Sequence, residues 1–260
     1  MKPSQVVTAL WRILQGRPRV PKSLKNNTAL RTILARRSVR SFTSQEIPAD
    51  AWEAVLEAGR VAPSTVNLQS WSFALYDRAS WRETFGAGLP FNAQRAAIIL
   101  ADGHRIRQVI QAFPESPLVE YTIAVMNASL AAMNMNAAAE ALGISSVMLS
   151  ETGRSGLLDI PWLREKLALP AGVTPLMTIV FGYARGGYPP MPPKLPAEMV
   201  AFSGIYREAD SEQLAEWYRE MVAGYNASHP GSSFHKQLEV YKAKIGAAEA
   251  ELRKIVLGEE

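Results

Sequence analysis

The 260-residue chain contains no cysteine, which excludes disulfides, thiolate catalysis, thiolate-bound zinc and iron–sulfur clusters. Histidine is scarce as well. His104, His229 and His235 lie far apart in sequence and offer no metal-ligand spacing. The N-terminal apolar residues Val6, Val7, Ala9, Leu10 and Trp11 are soon interrupted by Arg12, Arg17 and Arg19, and no small-residue cleavage site follows a long apolar core. The expectation is an unprocessed, cytoplasmic chain. The longest uncharged run, 121–139, is dominated by alanine and carries Thr122, Asn127, Ser129, Asn134 and Asn136, which suits a buried helix rather than a bilayer span. The net charge of +4 fits an anionic ligand, but the basic residues are dispersed, not gathered in a block with interleaved aromatics. Neither a nucleic-acid partner nor a membrane is expected.

A hydrophobic content of 48% is enough for one substantial core. No repeat or long interior linker divides the chain. The expected organisation is an N-terminal arm over 1–27, one main domain over 28–225 and a C-terminal helical extension over 226–260.

Asn27 and Thr28 are candidate caps for a helix through Arg36, with Leu30, Ile33 and Leu34 at helical spacing. Pro48 opens a second helix with Trp52, Val55, Leu56 and Gly59 on one face, and Pro63 ends it. Strands are expected over 71–76, 96–100, 145–149 and 175–183. The second of these, Ala-Ala-Ile-Ile-Leu, is continuously apolar, as in a sheet covered on both faces. A short helix and loop are expected over 81–91, a long helix over 121–142 that stops at Gly143, and a further helix over 162–169. A proline-rich extended stretch over 188–196 precedes helices over 211–225 and from Phe234. In the last helix Phe234, Leu238, Tyr241, Ile245, Ala248, Leu252 and Ile255 form a narrow seam of heptad type, suited to packing on its own domain or on a partner subunit.

Two segments carry the chemistry. The first, Arg36-Arg37-Ser38-Val39-Arg40-Ser41-Phe42, sits at a helix end, where cations also complement the macrodipole. Its guanidinium forks and hydroxyls equally suit the oxygens of a monophosphate, and the residues alone leave both readings open. The second, Ala62-Pro63-Ser64-Thr65-Val66-Asn67-Leu68-Gln69-Ser70-Trp71, is richer in polar groups than a plain connector needs. Carboxamides donate and accept at once, so Asn67 and Gln69 can meet both the carbonyl and the N–H edge of a heteroaromatic ring.

With these segments the chain resembles the FMN-dependent nitroreductase family, in its branch of oxygen-insensitive NADPH nitroreductases and flavin reductases. Ala138-Ala139-Glu140-Ala141-Leu142-Gly143-Ile144, Phe181-Gly182-Tyr183 and the stretch from Lys194 to Val200 are similar to later landmarks of that family, in the same order. The resemblance implies an α+β fold: a three-layer α/β/α sandwich with a mixed, mainly antiparallel central sheet flanked by helices, assembled as an intertwined homodimer. It implies bound FMN, with Arg36, Ser38 and Arg40 at the phosphate and ribityl chain, Arg37 adding backbone or charge contacts, and Lys194 returning to the phosphate. Pro63, Ser64 and Asn67 would lie against the flavin, Gln69 would contact the ring or the ribityl chain, and Leu149, Ser150 and Glu151 would present backbone donors. No protein residue is assigned as catalytic, because the flavin carries the chemistry. The implied reaction is a ping-pong hydride transfer from NAD(P)H, with NADPH favoured, to a small-molecule acceptor such as a nitroaromatic, quinone or free flavin.

The chain departs from this pattern in two places. Leu149-Ser150-Glu151-Thr152 stands where the branch has glycines, and Pro192 stands where it has a second basic residue. Two other readings are open: a different reaction on the same fold (dehalogenation, flavin cleavage or azoline oxidation), or a non-catalytic basic binding protein.

Overall fold

The computed structural model describes residues 7, 18, 20–110, 113, 115–150, 156–229 and 231–259. Most of the N-terminal arm up to Arg19 lies outside them, as does Glu151. The chain divides into two compact units: Ser23–Tyr188 with Ala243–Glu260, and Pro189–Lys242 with Met1–Lys22.

In the larger unit, helix α1 (Thr28–Ala35) starts where the Asn27 carboxamide accepts a hydrogen bond from Leu30 N at 2.9 Å. Helix α2 (Ala49–Arg60) follows Pro48. Strand β1 (Trp71–Asp77) leads directly into α3 (Arg78–Phe85), which Asp77 and Ser80 open with a capping box. Strand β2 (Arg95–Asp102) is followed by the single turn α4 (His104–Arg107) and the long helix α5 (Pro117–Ala141). Strand β3 (Ser145–Leu149), helix α6 (Ile160–Leu167) and strand β4 (Val173–Gly182) complete the larger unit's main body. The described strands pair in the order β1-β2-β4-β3, each antiparallel to its neighbour. A parallel bridge between Ser38 and Ser146 makes the edge mixed.

Strand β2 explains its own composition. Ala97, Ile99 and Ala101 face one core with Ile179 and Phe181, against Val55 of α2 and Ala124, Ala128, Ala131, Ala132 and Met135 of α5. Ala96, Ile98 and Leu100 face the other with Val180, against Trp81 and Phe85 of α3 and Leu163 of α6. A central strand buried on both faces has no place for polar alternation. Each fully buried isoleucine contributes roughly 1.5–3 kcal/mol. The larger unit is therefore the three-layer α/β/α arrangement.

Close approach between layers depends on missing side chains. A Cβ on Gly59 of α2 would stand 2.6 Å from Met135 Cγ on α5, and one on Gly182 would stand 2.9 Å from the ring of the fully buried Phe42. The alanines of α5 serve the same purpose.

In the smaller unit, the proline-rich segment leads to α7 (Ala197–Val200) and α8 (Ser211–Ser228), and Trp217 Nε1 donates to Pro193 O at 3.4 Å. Helix α9 (Phe234–Leu257) starts in this unit, where the Phe234 ring meets Tyr218 and Tyr225 edge-on. The end of α9 belongs to the larger unit, where Ala248 is buried and Ile255 borders a small cavity beside the Arg107–Glu120 ion pair. Part of the heptad seam is thus spent on packing within the chain, while Ile245 stays exposed. No helix among the described residues is long and apolar enough to cross a membrane.

Candidate functional site

The segment after α1 is held in an extended path along the sheet edge. Val39 N donates to Ser146 O at 3.1 Å, Thr43 N to Tyr183 O at 2.8 Å and Arg185 N to Ser41 O at 2.9 Å. Phe42 is fully buried, and its carbonyl accepts from Arg185 Nη2 at 3.3 Å and Asn92 Nδ2 at 3.4 Å. With Val39 and Phe42 pinned inward, the side chains between them are displayed outward.

The arginines are not equivalent. Arg37 turns back on the helix: its Nη1 donates to the carbonyls of Leu34 at 2.9 Å, Ala35 at 3.0 Å and Arg36 at 2.8 Å, which α1 leaves without helical partners. Arg40 is exposed, with a long 3.5 Å contact to Ser38 O. Arg36 and Ser38 are half-buried. Glu140, at the end of α5, faces Arg36 and Arg37. Burial pushes its carboxyl above the usual range, against the opposing pull of the Tyr188 hydroxyl and the two guanidiniums. One carboxyl oxygen of Glu140 is buried without a hydrogen-bond partner among the described residues.

The turn after α2 is conformationally strained. Val66, Asn67 and Gln69 all have positive φ, of 41°, 59° and 48°. Asparagine tolerates this region, but a β-branched valine there is a genuine outlier. Such residues cost of order 1–3 kcal/mol each and persist only where the surroundings enforce them. Two constraints do so. Ser64 Oγ accepts from Gln69 N at 3.1 Å, closing the turn on itself. Asn127, from the middle of α5, accepts from Thr65 N at 3.1 Å and donates to Ser70 Oγ at 2.8 Å. The exposed carboxamides of Asn67 and Gln69 stand side by side, 3.4 Å apart, and Pro63 is exposed beside them.

Helix α5 joins the two segments. Asn127 ties down the strained turn, and Asn136 donates to Ser146 Oγ at 3.0 Å, on the residue that pairs with the arginine segment. Both asparagines are buried. Nine residues of helix separate them, about 13 Å along the axis at 1.5 Å per residue.

Leu149 ends β3 and is buried, Ser150 is exposed, and Glu151 lies outside the described residues. Lys194 belongs to the smaller unit, where it is exposed on the proline-rich segment. Asn127 and Asn136 were not among the residues expected at the site, although carboxamides on an alanine-rich buried helix were a usable signal. Nor was Arg185, whose only cue is its position just beyond Phe181-Gly182-Tyr183.

Comparison with known proteins leads to the same family. The model of the nitroreductase family matches residues 33–183. A relative from Archaeoglobus fulgidus, provisionally named an NADH dehydrogenase/NAD(P)H nitroreductase, is 32% identical over 162 residues, covering 60% of this chain and 85% of that protein. The oxygen-insensitive NADPH nitroreductase of Salmonella typhimurium is 28% identical over 194 residues, covering 73% of this chain and 78% of the relative. Among solved structures, nitroreductase A from Vibrio parahaemolyticus superposes with a TM-score of 0.67 at 25% identity, covering 84% of this chain and 91% of the other. Family model and fold agree over the segments that hold the strained turn and the arginine strand, and the chain belongs to the nitroreductase family.

Proposed function

We propose that this chain, an oxidoreductase by family, binds FMN between the arginine segment and the strained turn and uses NAD(P)H to reduce small-molecule acceptors such as nitroaromatics, quinones or flavins. The observation that carries the reading is the attachment of both segments to one rigid helix, through Asn127 and Asn136. The two anchoring asparagines lie about 13 Å apart along that helix; Asn127 bonds the turn directly, and Asn136 reaches the arginine segment through Ser146, which suits a ligand anionic at one end and planar at the other.

The donor chemistry fits FMN. Arg40 and Arg36 supply charged forks and Ser38 a hydroxyl for the phosphate and ribityl chain. Asn67 and Gln69 supply donors and acceptors for the ring's polar edge, where fixed dipoles favour added negative charge. Pro63 and Ser64 shape the floor of that edge, and the backbone at Leu149 and Ser150 borders the ring. Arg37, engaged with three carbonyls, contributes charge from behind. Bound FMN would supply the hydride acceptor and electron store that the side chains lack. The chain's own part is to hold, orient and polarise, with donor and acceptor using the open face in turn. NADPH is the proposed donor, as in the name of the Salmonella typhimurium relative, while the Archaeoglobus fulgidus relative is named for NADH and NAD(P)H.

The reading includes a homodimer. Val119, Met126, Leu130 and Met133 are exposed along one stripe of α5, at spacings of seven, four and three. A seam of this type suits a facing helix, and a second copy is the partner the family resemblance implies.

The test is the visible spectrum of the purified protein, followed by denaturation. A yellow protein that releases FMN in one-to-one ratio and reduces a quinone with NADPH supports the proposal. A colourless chain that cannot be reconstituted with FMN overturns it. Full FMN occupancy without NAD(P)H-driven turnover moves the chain to another reaction on the same fold.

A further inference from the structure

We infer that Asn127 is the positioning residue of the ring-facing turn: it touches no ligand itself but imposes the left-handed backbone that displays Asn67 and Gln69. The inference rests on the FMN reading above.

Asn127 is 1% exposed, among the buried alanines Ala124, Ala128 and Ala131. A carboxamide is costly to bury there unless its polar atoms are used. They are used on the turn. The backbone N–H of Thr65 can only donate, so the atom facing it must be the carboxamide oxygen; this leaves the NH2 group for Ser70 Oγ at 2.8 Å. The Thr65 hydroxyl lies 3.4 Å from the same oxygen. One side chain therefore grips both ends of the interval that contains Val66, Asn67 and Gln69, all at positive φ.

Nothing in Val66 favours its own conformation. It is 83% exposed, so no packing offsets the strain at a β-branched residue. The bond from Gln69 N to Ser64 Oγ closes the turn but leaves it unattached to the rest of the fold. Buried Leu68 and the bond from Asp102 N to Ser70 O at 3.1 Å anchor the turn's far end, and Asn127 adds the side-chain grip that spans Thr65 and Ser70 and so holds Val66 left-handed between them. Alanine at 127 would release the grip, whereas glycine at 66 would remove the need for it, because glycine adopts positive φ freely.

The test is titration of FMN into the cofactor-free full-length protein, followed by flavin fluorescence quenching, with the thermal midpoint recorded in parallel. Asn127→Ala should weaken FMN binding by about ten-fold or more, as expected when hydrogen bonds that hold a binding segment are lost. Adding Val66→Gly to Asn127→Ala should recover most of that affinity. Unchanged affinity in Asn127→Ala, or a loss that Val66→Gly does not recover, overturns the inference and leaves the FMN reading intact. Absence of FMN binding by the unsubstituted protein overturns the FMN reading and this inference with it. Should Asn127→Ala fail to fold, the double variant decides: soluble and binding FMN supports the inference, insoluble or unable to bind overturns it.

Discussion

The carboxamide of Asn136 donates to the hydroxyl of Ser146 at 3.0 Å, and the Ser146 carbonyl accepts from the backbone of Val39 at 3.1 Å. Helix α5, strand β3 and the arginine segment are thereby linked through a single residue of β3. The Asn136 oxygen is buried without a partner among the described residues, so the pair is held by one bond. Asn136→Leu should destabilise the cofactor-free protein in urea unfolding by about 1–3 kcal/mol, because a buried hydroxyl is stranded. Adding Ser146→Ala should restore part of that stability, since removing both polar partners is less costly than removing one.

The arginine segment predicts a graded response to alanine. Arg40→Ala should weaken FMN binding about ten-fold to a hundred-fold, the range for a charge-assisted hydrogen bond of roughly 1.5–3 kcal/mol. Arg37→Ala should have the smaller effect on FMN and should lower the thermal midpoint, since it uncaps three carbonyls at the end of α1. Equal losses of affinity would show that the two guanidiniums share one role.

Gly59→Ala sets helix propensity against packing. Gly59 is the penultimate residue of α2, so alanine should add no more than the roughly 1 kcal/mol it contributes in a helix interior. Its methyl group, however, would stand 2.6 Å from Met135 Cγ, and overpacking of this kind costs roughly 1–3 kcal/mol. The net change should be destabilising. Met135→Ala added to Gly59→Ala should recover stability relative to Met135→Ala alone, which a double-mutant cycle in denaturant would measure.

Glu140 gives a pH dependence whose sign is fixed by burial. Its carboxyl is raised in the folded protein, so its contribution is fully present below the unfolded value and is lost as pH rises through the folded value. Glu140→Gln carries no such loss. The stability of the variant relative to the natural protein should therefore increase from pH 4 to pH 7 in paired thermal melts. A difference that stays flat across this range would mean that Arg36 and Arg37 fully compensate the buried charge.

The exposed stripe on α5 predicts the oligomeric state. Leu130→Glu places a charge in the centre of that stripe and should convert a dimer into monomer in sedimentation velocity. FMN should be retained less well if the second copy completes the site. A natural protein that sediments as a monomer would remove the homodimer from the proposal.

The four described strands were legible because their signal is local. Ala96-Ala97-Ile98-Ile99-Leu100 can satisfy its apolar side chains only by burial on both faces, and it does so. The alanines and Gly143 around α5 announced close packing and a stop in the same way. The difference between Arg37 and Arg40 was not legible. Both are arginines near a helix end, and only the direction of the chain after Arg36 decides that one folds back on carbonyls while the other is displayed. The last helix behaved similarly: its seam was visible in the sequence, but which residues meet their own chain and which, like Ile245, remain exposed depends on what surrounds them.

By itself the sequence determined the family and the order of the main elements, and it singled out two polar segments, since these rest on residue type, short-range periodicity and motif spacing. The tertiary structure decided how the two segments are held. Asn127 lies 62 residues beyond Thr65 and 57 beyond Ser70, a pairing no local pattern encodes. Left-handed backbone at a β-branched residue is unfavourable on local grounds, so its cause is necessarily remote. Here that cause is a buried carboxamide on a helix whose other polar anchor holds the arginine segment.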